Sequence, residues 1–247
     1  MKKDVFPSTL ELSLRRAILA DADFSHFDLG LDVRVLKNFQ NLNIQSTASY
    51  SNFGEPDHIC AEIKKFLGGQ GNDIVSAQVA AEAIDTIVKG VLGAFQSESA
   101  WVSLRSFSPT TEYDVPRWHT DGYYYEPFLG DQKKVVATLK GAPTLINDLR
   151  GHLRQQFNAL FSVIPHDDIE GRKEIAALVD SSKTSQAFPG QGSIFVAGSA
   201  RAALHSEPPI KEPRLFLSVL PGSSVQIEEL RKRWNKPSIA RAVKKAP

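Results

Sequence analysis

Apolar residues recur at intervals of three and four along much of the first 95 positions, which is the spacing of amphipathic helices. Leu10 and Leu14 follow this spacing in the first such segment. Ser8 and Glu11, at the start of that segment, have the separation of a capping box. The strongest helix is predicted over residues 76–95, where a continuous apolar stripe is present. The N-terminal part of the chain is therefore predicted to be mainly helical.

Two further segments lie between these helices. Residues 56–69 predict a helix that begins at Asp57 as N-cap and ends at Gly68–Gly69. The stretch "LDVRVLKNF" (31–39) is rich in β-branched and apolar residues, and we interpret it as a strand.

From about residue 100 the pattern changes to short β-branched segments separated by Gly or Pro. These segments are "AWVSLRSF", "KVVATLKG", "TLIN", "GSIFVAG" and "RLFLSVL". Several short strands bounded by turn residues favour an antiparallel barrel or jelly roll. Residues 148–185 are more polar and have helical spacing, so they predict an insertion between strands.

Together these patterns predict one domain over residues 1–247, mainly β with α flanks (an α+β chain). Residues 1–99 form a mainly helical flank, and residues 100–222 form a jelly-roll or cupin-like barrel with the helical insertion 148–185. Residues 223–247 form a basic C-terminal helix and tail, where Glu228–Lys232 and Glu229–Arg233 have the i,i+4 separation of helical ion pairs.

Composition and charge narrow the function classes. Hydrophobic residues make up 42% of the chain, charged residues make up 23%, and the net charge is +1. A net charge this close to zero provides no excess positive charge to attract nucleic acid, which we do not expect as a partner. One cysteine and no apolar run of membrane-spanning length predict a cytoplasmic protein without a membrane partner. The oligomeric state is not indicated.

Candidate metal chemistry comes from His-x-Asp pairs, of which the chain has three. They are His26 with Asp28, His119 with Asp121, and His166 with Asp168. Residues two apart on a strand share a face, so such a pair can reach one metal ion. "SHFDLG" (25–30) is interpreted as a loop, and "PHDDIEG" (165–171) lies in the polar insertion. Only "PRWHTDGYYY" (116–125) lies in a strand-rich neighbourhood.

A distal histidine completes a possible ligand set. His205 ends a β-prone run, and with His119 and Asp121 it would form a 2-His-1-carboxylate set, the donor type of non-haem Fe(II) oxygenases. Arg214 follows His205 by nine residues across a Pro-Pro turn, which allows both side chains to face one cavity. A buried guanidinium requires an anion, and a carboxylate is its natural partner.

These four residues resemble the signature of the Fe(II)/2-oxoglutarate-dependent dioxygenases. "VVATLKGAPTLI" is similar to the strand and Gly-x-x-Thr step of the prolyl-hydroxylase-like branch, and "WHTDGYYY" is similar to the Trp-His-x-Asp of phytanoyl-CoA-hydroxylase-like members. "FPGQGSIFVAG" is similar to the turn and strand that precede the distal His. The resemblance covers roughly residues 100–222 and implies a double-stranded β-helix.

The resemblance also implies roles for individual residues. His119, Asp121 and His205 would hold Fe(II), and Arg214 would bind the distal carboxylate of 2-oxoglutarate. O2 would be the second co-substrate. Phe216 stands where many members have the Ser of Arg-x-Ser, and Phe107 stands where the prolyl-hydroxylase-like branch has a Tyr. Thr138 and Ser218 are therefore the candidates for a second contact to 2-oxoglutarate.

The expected reaction is hydroxylation or oxidative demethylation of a small-molecule or protein substrate, with release of succinate and CO2. Strand alternation from Asp121 predicts that Tyr123 and Tyr125 face the cavity and that Tyr124 faces outward. Arg105, on the first barrel strand, is a further candidate for contact with substrate.

Two alternative functions remain open at this point. A His2Asp set could hold zinc and activate a water molecule for hydrolysis on the same barrel. The barrel could instead be a non-catalytic binding module, although a complete ligand set argues against that.

Overall fold

The computed structural model describes residues 8–165 and 167–234, which form a mixed α/β chain. In this range the helices are α1 (Thr9–Leu19), α2 (Val33–Asn41), α3 (Ile59–Gly69), α4 (Ile74–Phe95), α5 (Gly151–Val163), α6 (Ile169–Ala177) and α7 (Ser224–Trp234). The strands are β1 (Phe24–Asp28), β2 (Ala48–Gly54), β3 (Ser99–Phe107), β4 (Gln132–Lys140), β5 (Leu145–Asn147), β6 (Thr184–Ser185), β7 (Gln191–Ala197), β8 (Leu204–Ser206) and β9 (Arg214–Gly222). His166 and the predicted basic tail from residue 235 onward lie outside the described residues.

The strands form two antiparallel sheets. A six-stranded sheet has the order β1-β7-β4-β9-β3-β2, and a three-stranded sheet has the order β6-β5-β8. A single bridge between His119 and His205 adds the segment around His119 to the free side of β8. The five strands predicted from β-branched segments are confirmed as β3, β4, β5, β7 and β9.

The chain passes back and forth between the two sheets. After β3 it pairs at His119 with the smaller sheet, returns through β4, and crosses again to β5 and β6. It then supplies β7, β8 and β9 alternately to the larger and the smaller sheet. Val136 and Phe195 of the larger sheet pack against Ile146 of the smaller one, which brings the inner faces of the two sheets together.

Helices α1 to α4 cover the outer face of the six-stranded sheet. Alternate residues of its central strands, such as Val135 in β4 and Leu217 in β9, pack into one apolar core with Ile84 and Val88 of α4. Their neighbours in sequence face the space between the sheets. No helix in the described part of the chain combines the length and the apolar character needed to cross a bilayer.

The expectation of a strand over residues 31–39 is wrong, because these residues form α2. The Asp32 carboxylate accepts hydrogen bonds from the backbone N–H groups of Arg34 and Val35, which is N-cap geometry. Val35 and Phe39 then lie on one face and pack against the core. The cap and the four-residue spacing outweigh the β propensity of the two valines.

Two strands were not predicted in the N-terminal region. β1 contains "SHFD" and pairs with β7, so this stretch is an edge strand and not a loop. β2 pairs with β3 at the opposite edge of the same sheet. Both strands are short and rich in Ser, Asn or His, which is why their period-two pattern is weak.

The segment that follows Asp121 is not a strand. The Gln132 side chain holds it: its Oε1 accepts from the N–H groups of Tyr124 and Tyr125, and its Nε2 donates to the carbonyl of Tyr125. A side chain thus replaces a neighbouring strand, so the alternation expected for the three tyrosines does not hold.

The predicted insertion contains α5 and α6, which pack around Phe157 and Ile175 against Trp118 and Leu204, next to the smaller sheet. Helix α3 begins one residue later than expected. His58, with no capping side chain, stands at its N-cap position in place of Asp57.

The N-cap residues of α2 and α4, Asp32 and Asp73, give a stability test. Asp32→Ala and Asp73→Ala each remove a carboxylate that accepts two backbone N–H groups. Each should lower the free energy of unfolding by about 1 kcal/mol in urea denaturation. Asp57→Ala is the matched control and should change it by less than about 0.5 kcal/mol. An equal loss in all three variants would contradict the cap assignments.

Candidate metal centre

His119 and His205 lie side by side because their backbones pair. The N–H of His119 donates to the carbonyl of His205, and the N–H of His205 donates to the carbonyl of His119, each at 2.9 Å. A mutual pair of this kind sends both side chains to the same face of the ladder. The two ring centroids are 4.3 Å apart.

Each ring is oriented by a carbonyl two residues before it. Nδ1 of His119 lies 2.8 Å from the oxygen of Arg117, and Nδ1 of His205 lies 3.0 Å from the oxygen of Ala203. A carbonyl oxygen only accepts, so each Nδ1 must carry the hydrogen. In the neutral imidazole, Nε2 then keeps its lone pair and is available to bind a metal ion.

Asp121 supplies the third donor. One ligand atom each from His119, Asp121 and His205 lie within 4.8 Å of one another. Oδ1 of Asp121 is 3.8 Å from Nε2 of His205, while Oδ2 accepts a 2.8 Å hydrogen bond from the Lys134 ammonium. Lys134 thus occupies one carboxylate oxygen and leaves the other facing the histidines. No second group of three metal-binding side chains occurs in the described residues.

The protonation states suit metal binding. Burial, with a smaller contribution from His205, lowers the pKa of His119 to about 4, so its imidazole is neutral at pH 7. Burial works against ionisation of Asp121, but the Lys134 ammonium outweighs it and holds the pKa of Asp121 well below its ordinary value. Two imidazoles and one carboxylate form a donor set suited to Fe(II), Mn(II) or Zn(II).

A cavity extends from these three side chains between the two sheets. Arg214, only 2% exposed, lines it. The guanidinium Nε donates to the carbonyl of Ala142 at 2.9 Å, and Nη2 donates to Thr144 Oγ1 at 3.1 Å. Its carbon lies 4.7 Å from the Phe216 ring centroid. Among the described residues Arg214 forms no ion pair, and burial lowers its pKa to about 10.

The turn before β5 brings Ala142 and Thr144 close to the Arg214 side chain. A Cβ atom on Gly141 would lie 2.7 Å from the carbonyl oxygen of Pro213, and the φ of Gly141 is +80°. Only glycine fits this backbone conformation without strain. The close approach places Ala142 and Thr144 beside the Arg214 side chain.

Thr138 and Ser218, the candidates for a second contact to 2-oxoglutarate, do not line the cavity, whereas Thr144 does. Thr138 Oγ1 is 3.4 Å from Arg214 Nη2, so Thr138 contacts the arginine without lining the cavity. Ser218 is buried in β9 and does not line the cavity either. Thr144 does line it, and the "Gly-x-x-Thr" step in the sequence was the signal for this residue.

The tyrosines are arranged differently from the expected pattern. Tyr124, expected to face outward, lines the cavity, and its hydroxyl accepts a 3.0 Å hydrogen bond from Lys134. The Tyr125 hydroxyl donates to the carbonyl of Pro221, away from the cavity. Tyr123 packs against Phe128. Of the three predicted substrate contacts, only Arg105 lines the cavity.

A partly buried ion pair that was not predicted lies beside the histidines. Arg117 Nη2 donates to Glu207 Oε1 at 2.6 Å, and both residues line the cavity. They stand two positions from His119 and His205 on the paired segments, which is why they share the same face. Lys134 was also not predicted as a site residue. It alternates with Val136 and Thr138 along β4, so the three side chains lie on the same face of the strand.

The other two His-x-Asp pairs have different surroundings. Both ring nitrogens of His26 bond to serine hydroxyls, those of Ser193 and Ser185. The Asp168 carboxylate accepts from the N–H of Glu170 and caps α6. Its partner His166 lies outside the described residues.

Comparisons with known proteins return distant structures only. No family model matches the sequence, and no curated protein matches it. The chain is similar to a dioxygenase for auxin oxidation from rice at 12% identity and a TM-score of 0.45, covering 85% of this chain and 76% of that one. It is similar to a prolyl-4-hydroxylase from Pseudomonas putida at 12% identity and a TM-score of 0.42, covering 90% of this chain and 99% of that one. Because both TM-scores are below 0.5, the function is inferred from this chain's own residues.

The ligand set can be tested directly with Mn(II). We expect isothermal titration to give one site per chain, and His119→Ala, Asp121→Ala and His205→Ala should each weaken binding at least about 100-fold. His26→Ala removes the histidine of a rival pair and should leave binding intact. Equal binding by the wild type and His119→Ala would contradict the proposed centre.

Lys134 should oppose metal binding, because its ammonium competes with a dication for the charge of Asp121. Lys134→Met leaves that buried carboxylate without its cation, so the metal-free protein should lose about 3 kcal/mol of stability. Mn(II) affinity should rise about tenfold, and Mn(II) should restore the thermal midpoint. Lys134→Arg keeps the positive charge, so it should show neither the higher Mn(II) affinity nor a thermal midpoint that depends on Mn(II). An unchanged Mn(II) affinity in Lys134→Met would refute this role.

Proposed function

We propose that this protein is an Fe(II)- and 2-oxoglutarate-dependent oxygenase that hydroxylates or oxidatively demethylates its substrate. The observation that carries the proposal is the buried Arg214 guanidinium, which lacks an ion-pair partner in the described residues and lines the same cavity as His119, Asp121 and His205. A buried cation of this kind is stabilised by a bound carboxylate.

The strand arrangement supports a double-stranded β-helix. In that fold the chain winds through two facing antiparallel sheets. Here the chain alternates between the larger and the smaller sheet from β3 to β9. The metal ligands lie on the segment beside β8 and on β8 itself, where the smaller sheet faces the cavity.

The proposed iron ligands are Nε2 of His119, Nε2 of His205 and Oδ1 of Asp121. When bound, Fe(II), 2-oxoglutarate and O2 supply the oxidising chemistry that places one oxygen atom on the substrate and releases succinate and CO2. The carbonyls of Arg117 and Ala203 keep both imidazoles in the tautomer that can bind iron. The Lys134 ammonium donates to Oδ2 of Asp121 and leaves Oδ1 as the oxygen that would hold the iron.

Arg214 and Thr144 are the proposed anchors for the distal carboxylate of 2-oxoglutarate. Nε and Nη2 of Arg214 already donate to protein oxygens, and Nη1 has no protein acceptor in the described residues. The Thr144 hydroxyl accepts from Arg214, so its own hydrogen is available to a carboxylate. Val136 and Phe195 line the same cavity with apolar surface, which excludes water around the reacting groups.

The test is an anaerobic titration with Fe(II) followed by 2-oxoglutarate, monitored through the metal-to-ligand charge-transfer band. We expect the band in the wild type and no band in His119→Ala. Arg214→Met should keep Fe(II) binding but weaken 2-oxoglutarate binding roughly 10- to 100-fold, because a charge-assisted contact is lost. Arg34→Met, an exposed arginine on α2, is the matched control and should resemble the wild type.

Other outcomes would favour the alternative functions. Tight Zn(II) binding with hydrolytic activity and no response to 2-oxoglutarate would support a zinc hydrolase. Failure to bind Fe(II) or Mn(II) under anaerobic conditions would support a non-catalytic barrel. Either result contradicts the proposed oxygenase.

A further inference from the structure

The cavity lining carries more positive than negative charge. Arg105, Arg117, Lys134 and Arg214 line it together with only two carboxylates, Asp121 and Glu207. Fe(II) and doubly charged 2-oxoglutarate would cancel each other and leave this surplus unchanged. An anionic second ligand is therefore favoured over a neutral or cationic one.

Arg105 is the cation that the proposed reaction does not use. Lys134 pairs with Asp121 at 2.8 Å, Arg117 pairs with Glu207 at 2.6 Å, and Arg214 is assigned to 2-oxoglutarate. Within residues 8–165 and 167–234, Arg105 has neither an ion pair nor a side-chain hydrogen bond. It is exposed and stands on β3 opposite Phe216, where it lines the cavity.

Aromatic side chains line the cavity on the side where Arg105 stands on β3. Trp101 stands four residues before Arg105 on β3, so both side chains lie on the inner face, with their Cα atoms about 13 Å apart. The Trp101 ring lies 6.2 Å from that of Tyr124 and 5.4 Å from that of Trp234, measured between centroids. The Trp101 ring also stacks on that of Phe53, at 5.3 Å between centroids, and this aromatic cluster makes the cavity wall beside Arg105 apolar.

Trp101 also has an unused donor. Its indole Nε1 is buried and finds no acceptor among the described residues. A buried donor without a partner costs free energy, and an acceptor atom on a ligand would remove that cost.

From these contacts we propose that the substrate is a small organic acid with a planar apolar body, whose carboxylate binds Arg105 and whose body packs against Trp101 and Tyr124. This inference rests on the proposed oxygenase function and specifies its substrate class. The substrate carboxylate is thus held at Arg105 on β3, while 2-oxoglutarate is held at Arg214 on β9.

The experiment uses the full chain loaded with Mn(II) and saturated with 2-oxoglutarate, which permits binding without turnover. The probes are 2-naphthoate, its uncharged amide 2-naphthamide, and octanoate, which keeps the carboxylate but has no ring. Isothermal titration should give an affinity for 2-naphthoate at least about tenfold higher than for either other probe.

Arg105→Met should abolish the preference for acid over amide, and Arg105→Lys should restore part of it. Trp101→Leu should abolish the preference for 2-naphthoate over octanoate. Arg34→Met is the control and should keep both preferences, and thermal unfolding monitors the folding of each variant. A preference for the acid that survives Arg105→Met overturns the proposal.

Two further outcomes separate this inference from the proposed function. If 2-naphthoate binds only without 2-oxoglutarate and is displaced by it, the acid occupies the Arg214 end, and the Arg105 site is refuted. If 2-oxoglutarate itself fails to bind, the oxygenase proposal fails. The Arg105-dependent preference can then still be measured with Mn(II) alone.

Discussion

The site depends on one pair of backbone hydrogen bonds. His119 and His205 exchange N–H donors and carbonyl acceptors at 2.9 Å, and this pairing joins segments 86 residues apart in sequence. It fixes the spacing of the two imidazoles, and the same register places Arg117 beside Glu207. Because backbone pairing sets the positions of four side chains at once, the candidate metal centre depends on the register between these two segments.

Much of the site was predictable because its residue types are rare and chemically restricted. Two histidines, an aspartate and a distal arginine in that order resemble a known signature, and the structure brings all four to one cavity. The five core strands were predictable because β-branched residues are concentrated in them.

The remaining residues were hidden for identifiable physical reasons. Lys134 stands in a strand with both faces buried, so no pattern in the sequence shows that one face is a cavity. The position of Tyr124 depends on the Gln132 side chain, which replaces a strand that the aromatic sequence had suggested. Helix α2 was not predicted because the β-branched residues after Asp32 favour a strand, whereas the Asp32 cap favours a helix. Strands β1 and β2 were not predicted because edge strands show little alternation of apolar and polar residues.

The two edge strands limit how this chain can be divided. β1 and β2 come from the helical region, yet they close opposite sides of the sheet that carries Arg214. A fragment beginning at residue 99 would leave β7 and β3 with unpaired N–H and C=O groups along their outer sides. Such edges readily pair with strands from other molecules. Strands β1 and β2 are therefore integral parts of the six-stranded sheet, and the chain cannot be cut at residue 99 without exposing its edges.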